Sequence, residues 1–369
     1  MKILITGAGG FMGRNLTARL MQQGGHELCL YDLDTPREQL EAFCADCDFV
    51  YHLAGVNRPK DQDEFMAGNF GFTDVLLKTL RKYQNNCPVM LSSSTQAALP
   101  NLYGKSKKAG EELLARYGQE TGARVYLFRF PNVFGKWSRP NYNSAVATFC
   151  YNVARDLPII VNDPNTVLHL VYIDNVVDTL LALLDNRVYL ENGYCSVPVV
   201  HTAKLGWIAD TIGSFRAGRR DLSIPDQADP LTKKLYATYL SFLPEDGFAY
   251  PLTAHTDQRG SFTEFLRTSD RGQVSINVAK PGIVKGNHWH HTKNEKFLVV
   301  SGQAVIRFRR IDSQEILEYR VNGDQPFVVD IPTGYTHNIE NIGQCDLVTV
   351  MWASEPFDPE HPDTIPLEV

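Results

Sequence analysis

An apolar run near the start of the sequence breaks into glycines in a way that few folds can use. Lys2 to Thr6 reads as a buried strand and Gly13 to Gln23 as a helix, and the join is Thr6-Gly7-Ala8-Gly9-Gly10-Phe11-Met12-Gly13. Small residues after a first strand let the backbone turn tightly and approach a pyrophosphate, while the opening helix turns its free amides toward that negative charge. The candidate dinucleotide contacts are Gly7, Gly10, Phe11, Met12, Gly13 and Arg14. Asp32 closes the next strand, Glu27 to Tyr31, where a carboxylate can bond a ribose diol and favour NAD; it can equally lie by the adenine, with Arg14 and Arg37 free to meet a 2'-phosphate.

Up to about residue 190 short apolar runs alternate with stretches of helical period, including strands at Phe49 to Leu53 and Val89 to Ser93. This pattern predicts βαβ units, that is, an α/β fold with a Rossmann-type doubly wound parallel sheet. Beyond residue 250 the texture changes. Runs such as Gln273 to Ala279, Glu295 to Val300, Ala304 to Phe308, Phe327 to Ile331 and Leu347 to Trp352 are separated by Gly, Pro, Asn and Asp, which predicts an all-β sandwich or barrel. The expected domains are residues 1–245 and 246–369, and 369 residues suit about two such units.

Tyr103 and Lys107 lie at i and i+4 of a predicted helix, downstream of a strand ending in Ser92-Ser93-Ser94. A phenol titrating near 10 is a poor acid at neutral pH; a neighbouring ammonium lowers it, and a serine hydroxyl can hold a carbonyl oxygen being reduced. With the glycine loop upstream, these residues resemble the extended short-chain dehydrogenase/reductases, specifically the nucleotide-sugar members, over residues 1–245. Further matches are His52-Leu53-Ala54-Gly55, Asn69, Arg129-Phe130-Pro131-Asn132 and Val171-Tyr172-Ile173-Asp174. The resemblance implies Ser94, Tyr103 and Lys107 as the catalytic set, with Tyr103 the proton donor, Leu53 and Ala54 as further dinucleotide contacts, and Asn132 facing the nucleotide sugar. The compact stretch after the second strand is similar to that of 4-ketoreductases, which implies NADPH, with NADH the alternative. Arg129 and Arg139 are candidate contacts to an anionic substrate.

The third constellation is His288, His290, Glu295 and His337, with glycines at 282, 302 and 334 and Pro332 between them. Three imidazoles and a carboxylate suit a divalent transition metal, zinc first, with iron, manganese or nickel open. His291 reads as a bystander. The spacing resembles the two motifs of the cupin superfamily, so the second domain is expected to be a C-terminal all-β cupin barrel. Asp257-Gln-Arg-Gly260 and Lys285-Gly286-Asn287-His288 are also similar to sugar-nucleotide epimerases of the RmlC type. In those the residue matching His288 is a base and metal is normally absent, so ligand and base both stay open for His288. Lys285 and Lys296 are candidate electrostatic helpers.

A reductase fused to a cupin resembles the bifunctional enzymes of capsular polysaccharide synthesis on the route to UDP-N-acetyl-L-fucosamine. The resemblance implies C3 epimerisation and then C4 reduction of a UDP-linked 4-keto-6-deoxy amino sugar, by a homodimer. A net charge of -6 excludes a basic nucleic-acid footprint. Seven scattered cysteines make no disulfide framework; Cys44 and Cys47 form a lone CxxC read as structural. No stretch reaches the roughly 20 apolar residues of a membrane span, and Val176 to Leu184, the most apolar, carries Asp178. The expected location is cytoplasmic.

Overall fold

The structure is a computed structural model that describes residues 1–59 and 61–369. Its packing divides the chain into two units: Met1–Gly213 with Lys233–Pro244, and Ser214–Thr232 with Glu245–Val369. The segment 214–232 joins the second unit through main-chain bonds. Ile224 donates its amide to the Arg267 carbonyl at 2.9 Å, and Arg267 donates to the Leu222 carbonyl at 2.7 Å.

The first unit is built on the strands β1 (Lys2–Thr6), β2 (Glu27–Tyr31), β3 (Phe49–His52), β4 (Val89–Ser94) and β5 (Val125–Phe130). They pair in parallel in the order β2-β1-β3-β4-β5. Side chains alternate across this sheet. Ile3 and Ile5 pack into one core with Leu16, Phe49 and Tyr51, and Leu4 into another with Val50, Leu76 and Leu80. Helices therefore cover both faces, as a doubly wound parallel sheet requires. After β2 the chain turns back across β1 to reach β3, so the switch in winding falls between β1 and β3, where the strand ends leave a crevice. The stretch between Asp32 and Phe49 carries a single helix, Arg37–Asp46, and no further strand.

Beyond β5, Pro131 interrupts the strand and β6 (Asn132–Phe134) leaves for a second small sheet with β7 (Val167–Tyr172) and β10 (His201–Lys204). The short pair β8 (Leu190–Glu191) and β9 (Tyr194–Cys195) closes the large sheet. Boundaries differ from expectation by one or two residues. The first helix spans Phe11–Gln23, two residues earlier than its expected start, because Gly10 is extended and serves as its N-cap; β3 stops at His52, before Leu53. Cys44 is buried in helix Arg37–Asp46, and Cys47 just beyond it lies 3.7 Å, sulfur to sulfur, from Cys87, all three as free thiols.

The second unit is a pair of antiparallel sheets. One has the order β11 (Ala254–Asp257), β12 (Gly260–Arg267), β13 (Gln273–Ala279), β20 (Leu347–Ala353), β15 (Glu295–Ser301), β18 (Val328–Ile331). The other has the order β17 (Ile316–Asn322), β16 (Gln303–Arg310), β19 (Tyr335–Asn341), β14 (Val284–Trp289), β21 (Ile365–Pro366). Inward residues of both sheets, among them Phe297, Val299, Ile306, Phe308 and Ile339, share one core. Among the described residues, no helix is long and apolar enough to cross a membrane.

Candidate functional site

In the first unit a cleft of about 930 Å³ opens along the strand ends, lined by the glycine loop, Ser92–Gln96, Tyr103, Lys107 and the segment Phe130–Ser144. The loop is fixed by close packing. Gly7 holds φ +69°, and a side chain there would sit 2.7 Å from the Ala54 nitrogen; one at Gly13 would fall 2.2 Å from the Gly7 carbonyl oxygen. Gly10 offers no side-chain cap to the helix Phe11–Gln23, whose first turn holds no acidic residue. Its leading amides are thus free for an anion, which fits a dinucleotide pyrophosphate.

The structure brings Gly7, Gly10, Phe11, Met12, Gly13, Arg14 and Leu53 to this cleft, while Ala54 serves as the backbone against which Gly7 packs. Asp32, just past the end of β2, anchors the loop. Its carboxylate accepts the Gly9 amide at 2.6 Å and the Leu33 amide at 2.8 Å, tying the glycine loop to the end of β2. Arg14 lies over the Trp137 ring, 5.1 Å from its centroid.

Ser94, Tyr103 and Lys107 meet in the cleft. Asn101 caps the helix Leu102–Thr121 by accepting the Gly104 amide at 2.7 Å, and this first turn carries Tyr103. Burial pushes the Tyr103 phenol above its ordinary range, and hydrogen bonding with Ser94 opposes that rise. Lys107 was expected to lower the phenol. Its ammonium lies 5.9 Å from the Tyr103 ring centroid and donates to the Ser92 carbonyl at 3.1 Å. Burial lowers Lys107 to about 8, with the Glu111 carboxylate acting against the fall.

Behind the site lie groups that the motifs did not reveal. Glu111 accepts from Ser93 Oγ at 2.5 Å and from Arg129 Nε and Nη2 at 2.9 and 2.6 Å. Arg129 also stacks on Tyr194, 3.9 Å from its centroid. As a substrate contact Arg129 is therefore corrected: its fork is spent on Glu111, and it is not part of the cleft wall. The readable signal was Glu111 itself, one helical turn past Lys107. Asn132 does line the cleft and anchors to the His169 carbonyl at 3.2 Å; Arg139 lines it as well. Asn69 sits in a π-helical turn, Met66–Gly71, where it bonds Val56 on both main-chain groups and Ser106 Oγ at 3.0 Å.

In the second unit His288, His290, Glu295 and His337 converge, and one donor atom from each lies within 4.8 Å of all the others. His288 and His337 are directly paired across β14 and β19, with a bulge after Gly286 that turns His288 inward. Glu295 Oε2 lies 3.5 Å from His290 Nε2 and 3.3 Å from His337 Nε2. These three atoms are buried and have no hydrogen-bond partner. Orphaned nitrogens around one carboxylate fit a divalent cation, since leaving them unmet is costly. Burial alone would raise the Glu295 carboxyl, but His290 and His337 outweigh it and hold it well below the usual range. Burial, aided by His337, lowers His288 to about 4, so its imidazole is neutral at pH 7.

His288 and His337 form part of the wall of a pocket of about 660 Å³ that also carries Asp257, Arg259 and Lys285. Lys285 donates to Asn277 Oδ1 and to the Val278 carbonyl, each at 2.8 Å, so it faces the pocket as a fixed charge. Lys296 is corrected. Next to Glu295 on a strand it points the other way, is exposed and pairs with Asp330. His291 is exposed, outside the cluster, beside the Trp289 ring.

Two family models match the chain: the NAD dependent epimerase/dehydratase family over residues 3–193, and the polysaccharide biosynthesis C-terminal domain over residues 255–365. A Pseudomonas aeruginosa protein, UDP-2-acetamido-2,6-beta-L-arabino-hexul-4-ose reductase, is 45% identical over 365 residues, spanning 99% of this chain and 98% of that one. The crystal structure of the capsular polysaccharide assembling protein CapF from Staphylococcus aureus superimposes with a TM-score of 0.95 at 51% identity, covering 100% of both chains. A structure of CapF with the inhibitor 3-isopropenyl-tropolone gives 0.90 at 47% identity, again over 100% of both. With a nicotinamide-type cleft in one unit and a three-histidine cluster in the other, the chain belongs to the NAD dependent epimerase/dehydratase family, in the two-domain CapF-type group that carries the polysaccharide biosynthesis C-terminal domain.

Proposed function

We propose that the chain is a bifunctional nucleotide-sugar enzyme of capsule or surface polysaccharide synthesis. The cupin-type unit epimerises C3 of a UDP-2-acetamido-2,6-dideoxy-hexos-4-ulose, and the first unit reduces the C4 ketone with NADPH, on the route to UDP-N-acetyl-L-fucosamine. The observation that carries this reading is that one chain holds two separate equipped pockets, one with Ser94, Tyr103 and Lys107, the other with an orphaned His/Glu cluster. The name of the Pseudomonas relative supports the reduction and the sugar. The compact stretch between Asp32 and Phe49, with Arg14 on the cleft wall, supports NADPH over NADH.

A 4-keto group acidifies the C3 hydrogen. His288, neutral and less buried than His290 and His337, takes that proton, and the fixed charge of Lys285 offsets the negative charge that develops. His290, Glu295 and His337 hold a divalent ion, zinc first, which supplies Lewis-acid polarisation when bound. In the cleft, Ser94 positions the C4 oxygen and Tyr103 delivers the proton to it, while Lys107 restores charge balance beside the phenol. The nicotinamide, held by the glycine loop, supplies the hydride when bound. Six buried thiols and a nucleotide-activated substrate suit a cytoplasmic enzyme, and sedimentation velocity tests the homodimer.

A second reading rests on the convergence of all four donors within 4.8 Å, which would complete a closed structural site and leave a plain reductase. Incubating the 4-keto substrate with the full chain in deuterium oxide, without nicotinamide, separates the two. Deuterium entering C3 with the native chain and Tyr103→Phe, but not with His288→Ala, upholds the bifunctional reading. No exchange with any of them, alongside NADPH oxidation, leaves the reductase alone.

A further inference from the structure

We propose that Asp363 is the positioning residue of the cupin-type centre, fixing His290 through a clamp on the ligand-bearing loop; this rests on the reading of the cluster as a metal site. Its carboxylate gathers three consecutive amides of that loop. Oδ1 accepts from His291 at 2.9 Å, and Oδ2 accepts from Thr292 and Lys293, both at 2.8 Å, with Thr292 Oγ1 adding a bond at 3.1 Å. The main-chain carbonyl of the same residue meets His290 Nδ1. A carbonyl can only accept, so the ring proton must sit on Nδ1 and the lone pair on Nε2, the atom that faces Glu295.

Neighbouring contacts keep this segment in place without touching the site. The buried Lys293 donates through Nζ to Thr364 Oγ1 at 3.0 Å, Trp289 pairs with Ile365 across β14 and β21, and Leu367 donates its amide to the Asn287 carbonyl at 3.0 Å. One residue thus sets both the tautomer of a ligand and the path of the loop that delivers it. His337 differs: neither of its ring nitrogens has a hydrogen-bond partner. All of these partners fall within residues 287–367, so NADPH affinity, a property of the glycine-loop cleft, serves as an independent control.

Cobalt(II) and zinc(II) titrations of the full chain test this, read by d–d absorption and chelator competition. Native protein is expected to give a cobalt ligand-field spectrum, Asp363→Ala to bind both ions roughly 10- to 100-fold more weakly with a shifted band, and Asp363→Asn, which keeps one acceptor oxygen, to fall between. Unchanged far-ultraviolet circular dichroism and NADPH affinity mark the effect as local. If Asp363→Ala fails to fold, Asp363→Asn alone carries the comparison. Binding within about twofold of native with an unshifted band overturns the positioning role, given that a lost ligand orientation costs far more. Absence of any cobalt spectrum in the native chain instead overturns the metal reading, and this proposal with it.

Discussion

Replacing Glu111 with Gln isolates the charge that stands behind the reductive site, because volume is conserved and one carboxylate oxygen is lost. Glu111 is 5% exposed and Ser93 4%, so neither finds water when the network breaks. Removing one member of a buried ion pair costs about 3–5 kcal/mol. Arg129 keeps 20% of its side-chain surface open to water, which places the cost at the lower end. Loss of the Arg129 Nη2 bond is included in that figure, and the amide introduced by the substitution faces this donor with another donor. The total is about 3 kcal/mol, and at about 2–4 °C per kcal/mol for a domain of this size the first unit melts about 6–12 °C lower. Differential scanning calorimetry of the full chain reads it. The same substitution removes the Coulombic support of Lys107, so the descending limb of kcat/KM, set by Lys107 near pH 8, moves to lower pH. A melting shift below about 2 °C with an unmoved limb would refute this account, since either effect arises from the one lost charge. Adding Arg129→Met should recover a large part of the stability, because the orphaned charge is then gone.

Tyr103→Phe should lower kcat for reduction by about 10²–10⁴-fold while NADPH binding is kept, measured by NADPH oxidation and fluorescence titration. Gly104→Ala puts a methyl 2.1 Å from the Gln96 carbonyl oxygen, a backbone atom; kcat should fall with little change in KM, since Tyr103 moves with the turn. Gly13→Ala meets the Gly7 carbonyl oxygen at 2.2 Å, so the loop must open, and isothermal titration should show NADPH binding weakened at least tenfold, about 1.4 kcal/mol. Lys107→Met should stabilise the first unit at pH 7. The folded pKa, about 8, lies below the unfolded value of about 10.4, so the native chain's burial penalty is complete below pH 8 and is relieved as pH rises through that window. The stability difference between the two proteins should therefore shrink from about pH 8 to about 10.5 in urea titrations.

Local chemistry made much of both sites legible. The glycine loop, the Tyr103–Lys107 spacing and the histidine cluster each consist of residues whose types announce a task, and each meets in space as its pattern implies. The supporting groups were harder to read. Arg129 carries the same guanidinium whether it binds a phosphate or pairs inside the protein, and only the packing of β5 against the helix Leu102–Thr121 shows that Glu111 claims it. Lys296 comes one residue after Glu295, and the alternation of a strand separates their faces, a rule that needs the strand before it can be applied. Asp363 lies 73 residues from His290 in sequence, a distance across which no spacing rule reaches. The compactness of the stretch after β2, by contrast, was visible in the short interval from Asp32 to Phe49.

The π-helical turn at Met66–Gly71 sets how this chain can tolerate changes in length. A π turn holds one residue more than the α turn it replaces. Deleting a single residue between Met66 and Gly71 would yield a more regular helix, yet it would rotate everything before the cut by about 100° relative to the helical turns after it. Asn69 could then no longer reach Val56 on one side and Ser106 on the other. Where an exposed loop absorbs insertions and deletions freely, this helix is metrically fixed, and its irregularity is what must be inherited intact.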